Sequence, residues 1–134
     1  MIVNTLASYM ESLTATNTIC NEFGETFNFG TNLFIGFEPE KDTDTVTLIP
    51  YSGTQPNIDS KRQEAAIQIR LKTSSRYKAL AVQQACIDTL DMNTLNSKCF
   101  MRANNSAPLL LSYGNSNTDR WKVSVSNYMI KYVK

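Results

Sequence analysis

Between Asn32 and Leu90 the chain sets out three apolar strands and a helix, with little slack between the last two. Asn32–Phe37 and Thr45–Tyr51 are short runs of β-branched, aromatic and aliphatic residues suited to a pleated surface. Ala65–Lys72 alternates cleanly, with Ala65, Ile67, Ile69 and Leu71 on one face and Gln68, Arg70 and Lys72 on the other. A period of two describes a strand with one buried face. Ser74 or Ser75 then offers an N-cap, and a helix is expected to begin near Arg76. Its inward stripe reads as Leu80, Ile87 and Leu90, flanked by Ala79 and Cys86, with Val82 on the far side towards a neighbour. Asp91–Thr94 closes it.

Two connections interrupt this layout. Glu38–Asp44 carries four carboxylates, and Pro39 blocks strand continuation. It lacks the glycine and the terminal glutamate spacing of a calcium loop, so it reads as a solvated hairpin loop. Ser52–Ser60, rich in Ser, Gly, Pro and Asn, exceeds the usual hairpin length. Long ordered loops carry function disproportionately often. Tyr51, Gln55, Asn57, Lys61 and Arg62, on this loop and its two exits, are therefore the candidate subunit or partner contacts.

The flanks complete an α/β (α+β) pattern. Residues 2–14 read as an amphipathic helix, with Ile2, Leu6, Tyr9 and Leu13 on one stripe widened by Val3 and Met10. Thr14–Asn21 ends that helix unless Ile19 and Cys20 extend it. Phe23, Phe27 and Phe29 mark a strand-like or irregular approach to the first strand, as core or sheet-edge packing. Three more strands are expected at Lys98–Ala103, Leu109–Tyr113 and Arg120–Val133. In the last, Trp121, Val123 and Val125 fall on odd positions, whereas Tyr128, Ile130 and Tyr132 fall on even ones. A period of two changes phase only at a bulge, at a bend or where the buried face changes; a bulge or bend near Ser126–Asn127 is expected.

Composition narrows the function. The 134 residues fit a single domain, 1–134, and 42% hydrophobic residues suffice for a core. No apolar run reaches the roughly 18 residues of a membrane span, and no membrane partner is expected. Met1–Leu6 lacks the basic and apolar regions of a signal peptide. Cys20, Cys86 and Cys99 lack metal-like spacing and suit reduced thiols in a cytosolic setting. Histidine is absent, which removes the commonest general base and metal ligand. No phosphate loop, dinucleotide fingerprint, C-x-x-C or nucleophile elbow is present, so no catalytic, cofactor or metal site is expected.

Charge is split along the chain. Residues 1–60 carry eight acids and one base, whereas residues 61–134 carry twelve bases and four acids. Either the halves intermix and neutralise locally, or the surface is bipolar and favours head-to-tail rings. Arg70, Lys72, Arg76 and Lys78 cluster at the strand–helix junction but lack the aromatic companions of RNA-reading modules.

The order of elements, carried by Asn32–Pro39, Val46–Gly53, Ala66–Ala79, the helix to Leu90 and the closing Arg120–Val125 run, resembles the tailed-bacteriophage tail terminator or minor capsid proteins of the head–tail joining family. The resemblance implies a mixed, mainly antiparallel sheet with an N-terminal helix and a second helix, about 75–92, packed on one face. It also implies a homo-hexameric ring that caps the head-proximal end of the tail tube, stops tube polymerisation and offers a head–tail joining surface. Implied partners are the tube protein and the neck or head-completion protein. DNA would pass through the lumen without sequence-specific binding. The protein would sit in the virion neck, after assembly in the host cytoplasm. The polar Leu95–Leu111 region departs from the pattern and leaves the middle-strand pairing open. Alternatives are a neck adaptor on the portal side, a small nucleic-acid-binding α/β module and an enzyme lacking histidine.

Overall fold

The computed structural model describes residues 2–40, 43–51, 62–96, 99–111 and 121–133. Among these residues three helices, α1 (Ile2–Glu11), α2 (Thr18–Phe23) and α3 (Arg76–Leu90), accompany seven strands. These are β1 (Leu33–Ile35), β2 (Thr45–Tyr51), β3 (Arg62–Thr73), β4 (Asn93–Asn96), β5 (Cys99–Ala103), β6 (Leu109–Leu111) and β7 (Lys122–Val133). They form one mixed, mainly antiparallel sheet in the order β1-β2-β3-β7-β5-β4, with β6 also paired to β7.

The N-terminal helical region breaks in two. After α1, Ser12 Oγ donates to Tyr9 O, and Thr14–Thr16 follows. Asn17 then caps α2, its Oδ1 accepting from Ile19 N at 2.9 Å. Gly24, at φ 93°, ends α2 in the left-handed region that glycine adopts at least cost. Phe23 thus belongs to a helix, not to an irregular approach, and stacks on Phe27 with ring centroids 5.0 Å apart.

One face of the sheet carries the helices. Val46 and Leu48 of β2, Ile67, Ile69 and Leu71 of β3, Met101 of β5 and Tyr128 and Ile130 of β7 join a single buried cluster. Val3, Leu6 and Met10 of α1, Ile19 and Phe23 of α2, and Ala79, Val82, Cys86 and Leu90 of α3 complete it. Ala79, Cys86, Ile87 and Leu90 are buried as expected, but Val82 also points inward and Leu80 is only half-buried. The exchange has a cause: the inward face also holds Gln83, a fully buried polar residue that hides the true periodicity.

Gln83 is satisfied on every side. Its Nε2 donates to Ile69 O at 2.8 Å and Ser124 O at 3.0 Å, and its Oε1 accepts from Ser126 Oγ at 2.6 Å. Ser126 Oγ also lies 2.9 Å from Tyr128 OH. The serine has a single proton, given to Gln83, so the tyrosine must be the donor in that second bond. Burial pushes the Tyr128 phenol up, which keeps that proton in place. Ser124 Oγ donates to Ala79 O at 2.8 Å, adding a second tie between α3 and β7.

This network also explains the phase change in β7. The β3–β7 register runs unbroken from Arg62↔Val133 to Thr73↔Lys122, so no bulge interrupts that pairing at Ser126–Asn127. Instead, residues 123–126 are buried on both faces. Ser124 and Ser126 face α3, whereas Val123 and Val125 lie opposite Lys72 and Arg70 on the other face, outside the main cluster. At the same place the second edge of β7 changes partner, from β5 along 128–132 to β6 along 123–125.

Two pairings differ from expectation. β1 and β2 are parallel, in the register Leu33↔Val46 to Ile35↔Leu48, so Glu38–Asp44 is not a hairpin loop. Gly36, at φ 95°, turns the chain after β1. The connection then meets the face of β3 away from the helices, where Pro39 O accepts from Lys72 Nζ at 3.1 Å. The polar Asn93–Asn96 segment forms an unanticipated edge strand, β4, antiparallel to β5. Met92, at φ 62°, makes the tight turn into it, and its N–H reaches Met101 O.

Candidate assembly surface

Two members of the basic cluster at the β3–α3 junction, Arg70 and Lys78, pair with the chain's own acids. Arg70 Nε lies 3.5 Å from Glu38 Oε1, Lys72 donates to Pro39 O, and Lys78 forms an ion pair with Asp44. Lys78 also lies over the Phe23 ring, 4.9 Å from its centroid. Part of the charge split is thus neutralised within one subunit. Further ion pairs join Arg102 to Asp91 and Lys131 to Glu64 at exposed positions, where each is worth little.

Of the five candidate contacts, the structure places two. Tyr51 ends β2, is 42% exposed, and sits opposite Ala66, which in turn pairs with Met129. Partial burial raises its phenol pKa. It stands on the sheet face away from the helices, in a cross-strand row that continues through Ala66 and Met129 to Arg102. Arg62 is the first residue of β3, paired with Val133, and so belongs to the sheet; β3 begins three residues before the expected strand. Gln55, Asn57 and Lys61 lie outside the described residues.

A groove of ≈ 590 Å³ runs between α1 and the β4 edge, lined by Asn4, Thr5, Ser8, Tyr9, Ser12, Leu95 and Asn96. Among the described residues its lining offers amides, hydroxyls and a phenol, with no carboxylate, amine or thiol to transfer a proton near neutral pH. The three thiols are buried, and burial pushes Cys86 up to about 12, with nearby Cys20 adding to the shift. A thiol so protonated is a poor nucleophile. Among the described residues no helix is long and apolar enough to cross a membrane.

Such a chain is a two-layer α+β domain whose notable features are surfaces and sheet edges, the equipment of an assembly subunit. The bacteriophage tail terminator protein family matches residues 9–133, and the chain belongs to that family. A search of curated proteins found no match. The family is structural: its members are virion components that engage tail and head parts.

Proposed function

We propose that this protein forms a homo-hexameric ring on the head-proximal end of the tail tube, halts tube polymerisation there, and presents the surface that joins head to tail. The family match across residues 9–133 carries this reading. DNA passes through the lumen without sequence-specific contacts. Tyr51, Gln55, Asn57, Lys61 and Arg62 are the proposed contacts to a neighbouring subunit or to the tube. The exposed phenol of Tyr51 supports the choice, since aromatic residues on an open face are frequent interface anchors. Pairing of Arg70 with Glu38 and of Lys78 with Asp44 neutralises part of the basic C-terminal half that prompted the nucleic-acid alternative.

Electron microscopy of the purified protein, alone and mixed with tail tubes, tests the proposal. Six-fold rings seated on tube ends are expected. A strict monomer under both conditions would falsify the ring, and rings that bind portal-bearing heads but never tubes would identify a neck adaptor instead.

A further inference from the structure

Among the described residues three buried polar side-chain atoms lack a hydrogen-bond partner: Glu38 Oε1, Thr45 Oγ1 and Thr47 Oγ1. They share one neighbourhood. Thr45 pairs across β2–β3 with Lys72, and Thr47 with Arg70, on the face away from the helices. Two hydroxyls, an ammonium and a guanidinium therefore belong to neighbouring residues on one face of the sheet, each able to donate a hydrogen bond.

The chain's own Glu38–Pro39 stretch lies against these residues and fits them incompletely. Lys72 donates to the Pro39 carbonyl, and Arg70 holds the Glu38 carboxylate at ion-pair distance. That carboxylate oxygen completes no hydrogen bond, and both threonine hydroxyls lack an acceptor although Thr45 and Thr47 are fully buried. Buried polar groups in native proteins are satisfied with few exceptions, and each exception calls for an explanation such as strain, a functional role or a bound species.

We propose that Thr45, Thr47, Arg70 and Lys72 are a binding site for an acidic, extended peptide segment of a partner protein, and that Glu38–Pro39 is an internal mimic which that segment displaces. The mimic defines the ligand chemistry: a carboxylate for Arg70 followed by a peptide carbonyl for Lys72. A bound segment that also offers acceptors to Thr45 and Thr47 completes the set. This site stands on its own contacts and is independent of the ring.

The protein carries its own reporter. Its single tryptophan, Trp121, has the Lys72 ammonium 5.2 Å from its ring centroid, so displacement at Lys72 alters the emission. The probe is the capped peptide Phe-Glu-Pro-Glu, titrated into the full chain at low ionic strength, beside its Phe-Gln-Pro-Gln analogue. An internal occupant that leaves the site open a tenth of the time weakens apparent affinity about tenfold. E38A is therefore expected to bind the acidic peptide about tenfold more tightly than the unaltered chain, and R70M in that background, which leaves the Lys72–Trp121 reporter in place, to lose the response. Equal binding by E38A and the unaltered chain, or no binding by E38A, overturns the proposal. Where E38A does not fold, E38Q, which keeps the side-chain shape, is expected to give the same order. The unaltered chain itself must prefer the acidic peptide over the glutamine analogue. Indifference between them refutes the site whatever the variants do, and tighter binding of inorganic phosphate or an oligonucleotide refutes a peptide ligand.

Discussion

Replacing Gln83 with leucine removes the polar centre of the α3–sheet contact while nearly preserving its volume. The substitution deletes donors to Ile69 O and Ser124 O and the acceptor of Ser126 Oγ. Each lost bond to a backbone carbonyl costs about 1 kcal/mol net, and the stranded Ser126 hydroxyl about 1–3 kcal/mol. The leucine side chain returns about 1 kcal/mol through its greater apolar surface. The expected loss is about 2–4 kcal/mol, which for a domain of this size lowers Tm by roughly 10 °C. Thermal and urea unfolding followed by circular dichroism measure it. A double-mutant cycle with S126A isolates the pair and is expected to give a coupling of about 1 kcal/mol or more. If Q83L melts within about 2 °C of the parent, or the cycle gives no coupling, the buried amide is incidental and this account of α3 docking is wrong.

Other substitutions probe separate parts of the fold. S75A removes the N-cap that accepts from Lys78 N at 3.2 Å and should cost about 1 kcal/mol in urea unfolding. Asp91 accepts from the Ala103 N–H at 2.8 Å and from Arg102, which together hold its carboxyl below the usual range. Its stabilising effect is present above the unfolded-state pKa of about 3.9 and is lost as pH falls through the lower folded value. D91N should therefore flatten the acid limb of the stability–pH curve, seen as a smaller loss of Tm below about pH 4 than the parent shows. At pH 8 native Cys86 should resist Ellman's reagent and react promptly in denaturant; fast native labelling at that position would contradict its burial.

Local chemistry made much of this fold legible. The Thr45–Tyr51 strand, the alternation of Ala65–Lys72 and the Ser75 cap are set by neighbours within a few residues, and each appears where its pattern placed it. What escaped depends on distant partners. Nothing in the sequence singles out Gln83, because its acceptors, Ile69 and Ser124, are remote in sequence. The serines of β7 disguised an inward face for the same reason, since α3 satisfies them. Parallel pairing of β1 with β2 went unseen because a charged connection with a proline looks alike whether it turns back tightly or crosses over. β4 lacks any apolar run and exists through its pairing with β5. Of the candidate contacts, Tyr51 was legible as a strand end, whereas Arg62 was extended into β3 by long-range pairing with β7.

The placement of β7 has a consequence for biosynthesis. It joins β3 along twelve residue pairs on one edge and holds β5 and β6 on the other, yet it is translated after all three. β3 is complete at Thr73, and the strand that covers its edge is complete at Val133, sixty residues later. At usual synthesis rates the nascent chain carries that bare edge for roughly 3–12 s. During that interval β3 is a template for any passing strand, including another nascent copy. Slow translation upstream of Lys122, or shortage of holding chaperones, should therefore reduce the yield of soluble protein more than comparable stress after Val133.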